Sequence, residues 1–136
     1  MYKIFKIIVI SIIAIIVSNS CSEQNKINDR ILRNKIIGTW HKTLKRGNFI
    51  LYVTTKFYRN GIFKTDAIRK SLTNSTKVKL YAKGSWHISK GYLIEHTTSS
   101  NFDRIGSYTK DKIIAITKKQ FAYKTNKGKI FTYSKK

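Results

Sequence analysis

From Lys77 to Ile88 the chain changes character at every step. Val78, Leu80, Ala82, Gly84, Trp86 and Ile88 hold one parity, while Lys77, Lys79, Tyr81, Lys83, Ser85 and His87 hold the other. A period of two fits a β-strand, whose successive side chains point to opposite faces, and fits no helix. One face of this strand is apolar and the other carries charge, so it belongs to a sheet that is buried on one side only. An antiparallel sandwich or barrel follows, because such strands need a shared interior.

The rest of the chain repeats the texture. Phe49, Leu51, Val53, Thr55 and Phe57 alternate with Ile50, Tyr52, Thr54, Lys56 and Tyr58, and Asn60-Gly61 reads as a type I′ turn into Ile62–Ile68. Lys90-Gly91 closes a second hairpin into Tyr92–Ser99, and Asn126-Lys127-Gly128 marks the last turn. Ile36–Thr43, Arg104–Thr109, Lys112–Thr117, Phe121–Thr125 and Lys129–Ser134 complete nine candidate strands, one or two of them merged or peripheral. There is no proline in the chain to interrupt a ladder. The fold class expected is all-β, an antiparallel up-and-down barrel of about eight strands.

The first residues do not share this pattern. Lys3 and Lys6 precede an apolar run from Ile7 to Val17, and small polar residues follow. That is the layout of a secretory signal, and the apolar run is shorter than the ~20 residues of a membrane-spanning helix. Ser18-Asn19-Ser20-Cys21, which contains the single cysteine of the chain, resembles the lipobox of bacterial lipoproteins. The resemblance implies that Cys21 is acylated with palmitate or a similar chain, that it becomes the mature N-terminus, and that Ser22 after it favours the outer membrane of the cell envelope. Multiple acyl chains on one cysteine hold a protein on a bilayer lastingly, where one chain does not. The expected organisation is therefore a lipoprotein signal peptide over 1–20, a tether with a short helix over 21–35, and the barrel over 36–136. Ile27, Ile31 and Leu32 share one face of that helix, and Asn28 or Asp29 is placed to cap it.

Gly38-Thr39-Trp40, preceded by a short helical entry, resembles the Gly-x-Trp opening of lipocalin-like barrels. Gly84-Ser85-Trp86, then Lys90-Gly91-Tyr92-Leu93, then the stretch from Ile116 to Tyr123 resemble, in that order, later motifs of small exported proteins of this kind. The resemblance implies a barrel that carries a small apolar or amphipathic ligand, with Trp40 and Trp86 in its lumen. Lipocalins also set an arginine near the last strand against the first-strand tryptophan. Here only lysines follow Ile130–Ser134.

The doubled Gly-x-Trp-His, at Gly38–His41 and Gly84–His87, invites a metal reading, because the chain holds only three histidines. Strand parity argues against it: with Trp40 and Trp86 pointing in, His41 and His87 point out, and His96 has no partner at i+2 to complete a ligand pair. No cofactor or metal is expected. The six acidic residues form no pair with catalytic spacing, Glu95 and His96 face apart as strand neighbours, and no nucleophile elbow or phosphate loop is present. The chain does not read as an enzyme.

A formal net charge of +22 dominates the exterior. In a cytoplasmic protein it would point to nucleic acid, but an exported, lysine-rich chain with few arginines does not suit that partner. Two readings of function stay open. One is a ligand-carrying barrel tethered to the membrane by its lipid. The other is a basic surface module, with Tyr52, Tyr58 and Tyr81 on its outer parity, that docks an acidic envelope protein as inhibitor, immunity protein or assembly accessory.

Overall fold

The computed structural model describes residues 24–26, 28–102 and 104–135; Cys21 and the signal segment lie outside them. Eight antiparallel strands run β1 (Gly38–Arg46), β2 (Phe49–Phe57), β3 (Ile62–Ser71), β4 (Lys77–Ser89), β5 (Tyr92–Ser100), β6 (Tyr108–Ile116), β7 (Gln120–Lys124) and β8 (Ile130–Ser134). Each pairs with its sequence neighbours, and β1 meets β8 to close the barrel. This is the expected all-β, up-and-down architecture. Of the nine candidates, Arg104–Thr109 and Lys112–Thr117 prove to be parts of one loop-and-strand unit. The ladder of β6 against β5 runs unbroken from Tyr108 to Lys112, so the charged residues between the two candidates belong to the strand and do not end it.

Parity is kept through the fold. Val53, Thr55 and Phe57 on β2, and Ala82, Gly84 and Trp86 on β4, are buried between neighbours that are half-buried or exposed. One short helix, α1 (residues 24–26 and 28–36), closes one end of the barrel. Its last residue, Ile36, is fully buried, so the strand expected from Ile36 begins instead at Gly38. Asn28 and Asp29 lie inside the helix and do not cap it. The Asp29 carboxylate instead accepts the backbone N–H groups of Lys90 and Gly91, at 2.7 and 2.8 Å, and fixes the β4–β5 turn against the helix.

The turns also sort themselves. Lys90 and Gly91 both take positive φ, 51° and 78°, which is the type I′ geometry of a two-residue hairpin. At Asn60-Gly61 only the glycine does, with φ 81°. Tyr58 donates its N–H to Ile62 and Gly61 donates to Tyr58. The type I′ expectation there is replaced by a longer turn ending in a left-handed glycine, because Asn60 spends its side chain accepting the Ile62 N–H at 3.2 Å.

The closed end is filled by Trp40, Phe57, Trp86 and Phe121 stacked against Ile36. Trp40 meets Phe121 edge-on at 4.8 Å and Phe57 meets Trp86 at 5.2 Å. Two indole N–H groups in such a core need acceptors. Trp40 donates to the Ile36 carbonyl at 2.6 Å and Trp86 to the Tyr58 carbonyl at 3.1 Å. Among the described residues every buried hydrophobic lies between Ile36 and Tyr133, and the ring of strands closes on itself, so the described portion carries a core and a complete ladder.

Gly84 marks where β4 and β5 slip by one residue, and a Cβ there would lie 1.9 Å from the His96 carbonyl oxygen. Backbone cannot move aside as a side chain can. Gly84→Ala is expected to cost about 3 kcal/mol or more. Gly106→Ala, at φ 83° with open space around it, is expected to cost about 1 kcal/mol. Urea midpoints of the two variants check the ranking; equal losses would place the constraint elsewhere.

Candidate functional site

Above the aromatic plug the barrel holds a cavity of about 240 Å³, room for about eight waters at the volume each takes in the liquid. Its wall is divided. From β2, β3 and β4 come Leu51, Val53, Phe63, Ala67 and Ala82, broken only by Thr65. The opposite arc carries nearly all the polar groups: Lys42 on β1, Glu95 and Thr97 on β5, Thr109 and Asp111 on β6, Tyr123 on β7 and Tyr133 on β8, with Leu44 on β1 and Leu93 on β5 among them. Phe102, from the loop between β5 and β6, leans over the opening.

Strand parity places these groups. Lys42 shares a face with Trp40, Glu95 with Leu93, and Tyr123 with Phe121, so each polar side chain follows a core residue two positions along the same strand. The lysine is the centre of the polar arc. Its Nζ donates to the Tyr123 hydroxyl at 2.6 Å, and lies 4.5 Å from the Tyr133 ring centre and 5.3 Å from that of Phe131. An ammonium over ring faces is attracted by their quadrupoles, more so away from water. Tyr133 lies 3.4 Å from Thr55 Oγ1, which is 2.9 Å from Thr65 Oγ1. Thr109 donates to Glu95 Oε2 at 3.4 Å. Among the described residues no buried side-chain nitrogen or oxygen lacks a partner.

Burial decides the protonation of this cluster. It pushes the Lys42 ammonium down to about 8, against the upward pull of Glu95 and Asp111. It raises the Asp111 carboxyl, and the nearby Lys42 charge lowers it in part. Both phenols are held well above the usual range, first by burial. The interior of a strongly basic protein thus holds one cation and two acids.

Trp40 and Trp86 do point inward, but they lie in the plug beneath the cavity and are absent from its lining. Their rings are covered by Phe57, Phe121 and cations: Lys135 Nζ sits 4.4 Å from the Trp40 ring centre and the Arg33 guanidinium 5.7 Å from that of Trp86. Lys135 therefore occupies the place against the first-strand tryptophan where an arginine had been sought, and its Nζ also reaches the Ile37 carbonyl at 3.4 Å. His41 faces out and its Nδ1 pairs with Thr54 Oγ1 at 3.0 Å; His96 stacks on Tyr108 at 4.3 Å. Among the described residues no three His, Cys, Asp or Glu side chains gather as a metal would require.

The polar arc was legible in part. Reading each strand at i and i+2 from its core residue puts Lys42, Glu95 and Tyr123 inside. Their meeting on one side of the lumen depends on register between β1, β5 and β7, which one strand alone does not encode. Comparison with protein-family models and with curated proteins matches the chain to none of them.

The buried lysine gives a test with a definite sign. Lys42 holds its proton less tightly folded than unfolded, so between about pH 8 and its ordinary value of 10.5 the unfolded chain carries more protons. Stability must then rise with pH across that window relative to a Lys42→Met variant. The difference between wild-type and Lys42→Met unfolding free energies, followed from pH 7 upward, should be flat below the window and grow within it. A difference independent of pH would mean that the ammonium is solvated.

Proposed function

We propose that this is a lipid-anchored envelope protein whose barrel binds one small amphipathic molecule, as a binding protein and not as an enzyme. The observation that carries the reading is the divided wall of the cavity. An apolar arc on β2–β4 suits a short hydrocarbon body, and the hydroxyls, ammonium and carboxylates on β5–β8 and β1 suit a polar head that can both accept and donate. Ligand sites commonly combine an apolar lining with a few convergent polar groups. The volume limits the ligand to something well below drug size. The buried polar atoms of the arc already have partners, so a ligand that displaces them must replace bonds as good as those it breaks, which favours a matched head group over plain hydrocarbon.

The anchor rests on the sequence around Cys21. Cys21→Ala is expected to abolish incorporation of labelled palmitate and to release the protein from membranes, and continued labelling of that variant would remove the anchor from the proposal.

The lumen is tested by native mass spectrometry on the chain from residue 24, exported and purified from the periplasm. A discrete added mass that organic extraction removes is expected for wild type. Ala67→Phe, which fills the apolar arc, should lose that mass while keeping the β-sheet circular dichroism. An added mass that persists in Ala67→Phe would place the ligand outside the lumen.

A further inference from the structure

The two ends of the barrel differ in what they show to the surroundings. Basic residues occur at both, but among the described residues four large exposed apolar side chains stand at the open end against one, Ile31 of α1, at the closed end. Leu72 on the β3–β4 loop is 47% exposed, Phe102 and Ile105 on the β5–β6 loop 47% and 65%, and Ile130 at the start of β8 62%. The register puts these segments together: Leu72 donates its N–H to the carbonyl of Asn48 in the β1–β2 turn, and Ile130 follows the β7–β8 turn at the same end. Between them stand exposed Lys45, Arg46, Lys70, Lys77, Arg104 and Lys127.

Scattered exposed apolar residues need no explanation, but a group of them at one end of a molecule does. The pattern here is of tips and not of a groove. Two loops and the start of β8 each present one or two apolar side chains, with cations between. A rigid protein partner would have to offer a matching socket for each tip. A fluid anionic bilayer accepts each one independently, while its headgroups neutralise the collar of lysines and arginines. We propose that the mouth of the barrel docks on an anionic lipid bilayer, with Phe102 and Ile105 entering the headgroup layer. Phe102 also lines the cavity, so docking sets the opening directly against the lipid. The proposal does not depend on the lumen being loaded, nor on the anchor at Cys21, which precedes α1 at the opposite, closed end; a mouth docked while that anchor holds meets a facing bilayer surface.

The chain from residue 24 lacks Cys21 and so has no cysteine, which permits single-site labelling. Its partition onto sedimented vesicles is measured with phosphatidylcholine alone and with added phosphatidylglycerol, at low and high salt. Binding is expected only with the anionic lipid, weakened by salt, and reduced about tenfold in Phe102→Ser/Ile105→Ser. Ile105→Ser alone should give an intermediate loss, and because Ile105 is largely exposed it leaves the fold intact. Ile114→Ser, exposed near the far end of β6, should leave partition unchanged. An environment-sensitive dye at Ile105→Cys should shift to the blue on anionic vesicles, and the same dye at Ile114→Cys, near the far end of β6, should not. Equal partition of wild type and Phe102→Ser/Ile105→Ser, with salt alone removing both, would overturn the proposal in favour of diffuse charge. Absence of vesicle binding, with an acidic protein bound instead, would overturn it in favour of a protein partner. Either result leaves the mass-spectrometric test of the lumen untouched.

Discussion

The Trp40 indole donates a hydrogen bond of 2.6 Å to the carbonyl of Ile36, and the closed end of the barrel is organised around it. The last carbonyls of a helix have no partner within it, and a carbonyl buried without one would cost about 1–3 kcal/mol. One bond therefore satisfies a helix terminus, gives the indole its acceptor and fixes α1 across the bottom of the strands. The Arg33 guanidinium, donating to the Arg59 carbonyl at 2.9 Å, and the Asp29 clamp on the β4–β5 turn hold the same helix from two other sides. With the plug set at this height, the space above it cannot be filled by the same rings and is left to Lys42 and its neighbours.

That division gives the barrel two interiors. Below, aromatic faces and edges pack around two satisfied indoles, with the Lys135 and Arg33 cations set against their rings. Above, a cation, two acids and two phenols are sheltered by the same strands two residues further along. Polar groups in such a place are kept only when their bonds are complete, and complete networks rigidify what they line. A lumen built this way is shaped by directional contacts on one arc and by apolar surface on the other, which is the property expected of a selective small site.

Much of the architecture could be read from the alternation in β2 and β4 and from the glycine turns, because a half-buried strand writes its geometry into every residue. The places where the reading failed share one cause. At Asn60, at Asp29 and at the start of β1, a side chain or a helix end makes a bond to a distant backbone group, and local preference yields to it. The polar arc was missed for a related reason: attention to neighbours such as Glu95 and His96 showed what faces apart, whereas the cluster joins residues on separate strands. Lys135 shows the converse, since a residue of a different type from the one sought still supplies a cation against Trp40.

Every strand pair but one joins sequence neighbours, and that exception is thin: among the described residues β1 and β8 share the single register pair His41 and Ser134. Hairpins form from local chain, whereas joining the first strand to the last requires almost the whole chain to have come round first. The seam is thus the last contact made in folding and the cheapest to lose. Lys42 reaching Tyr123 and Lys135 reaching Trp40 and Ile37 act as bolts across it. Strand β8 also carries Tyr133, part of the polar arc, so local release of that strand would open the lumen to solvent from the side.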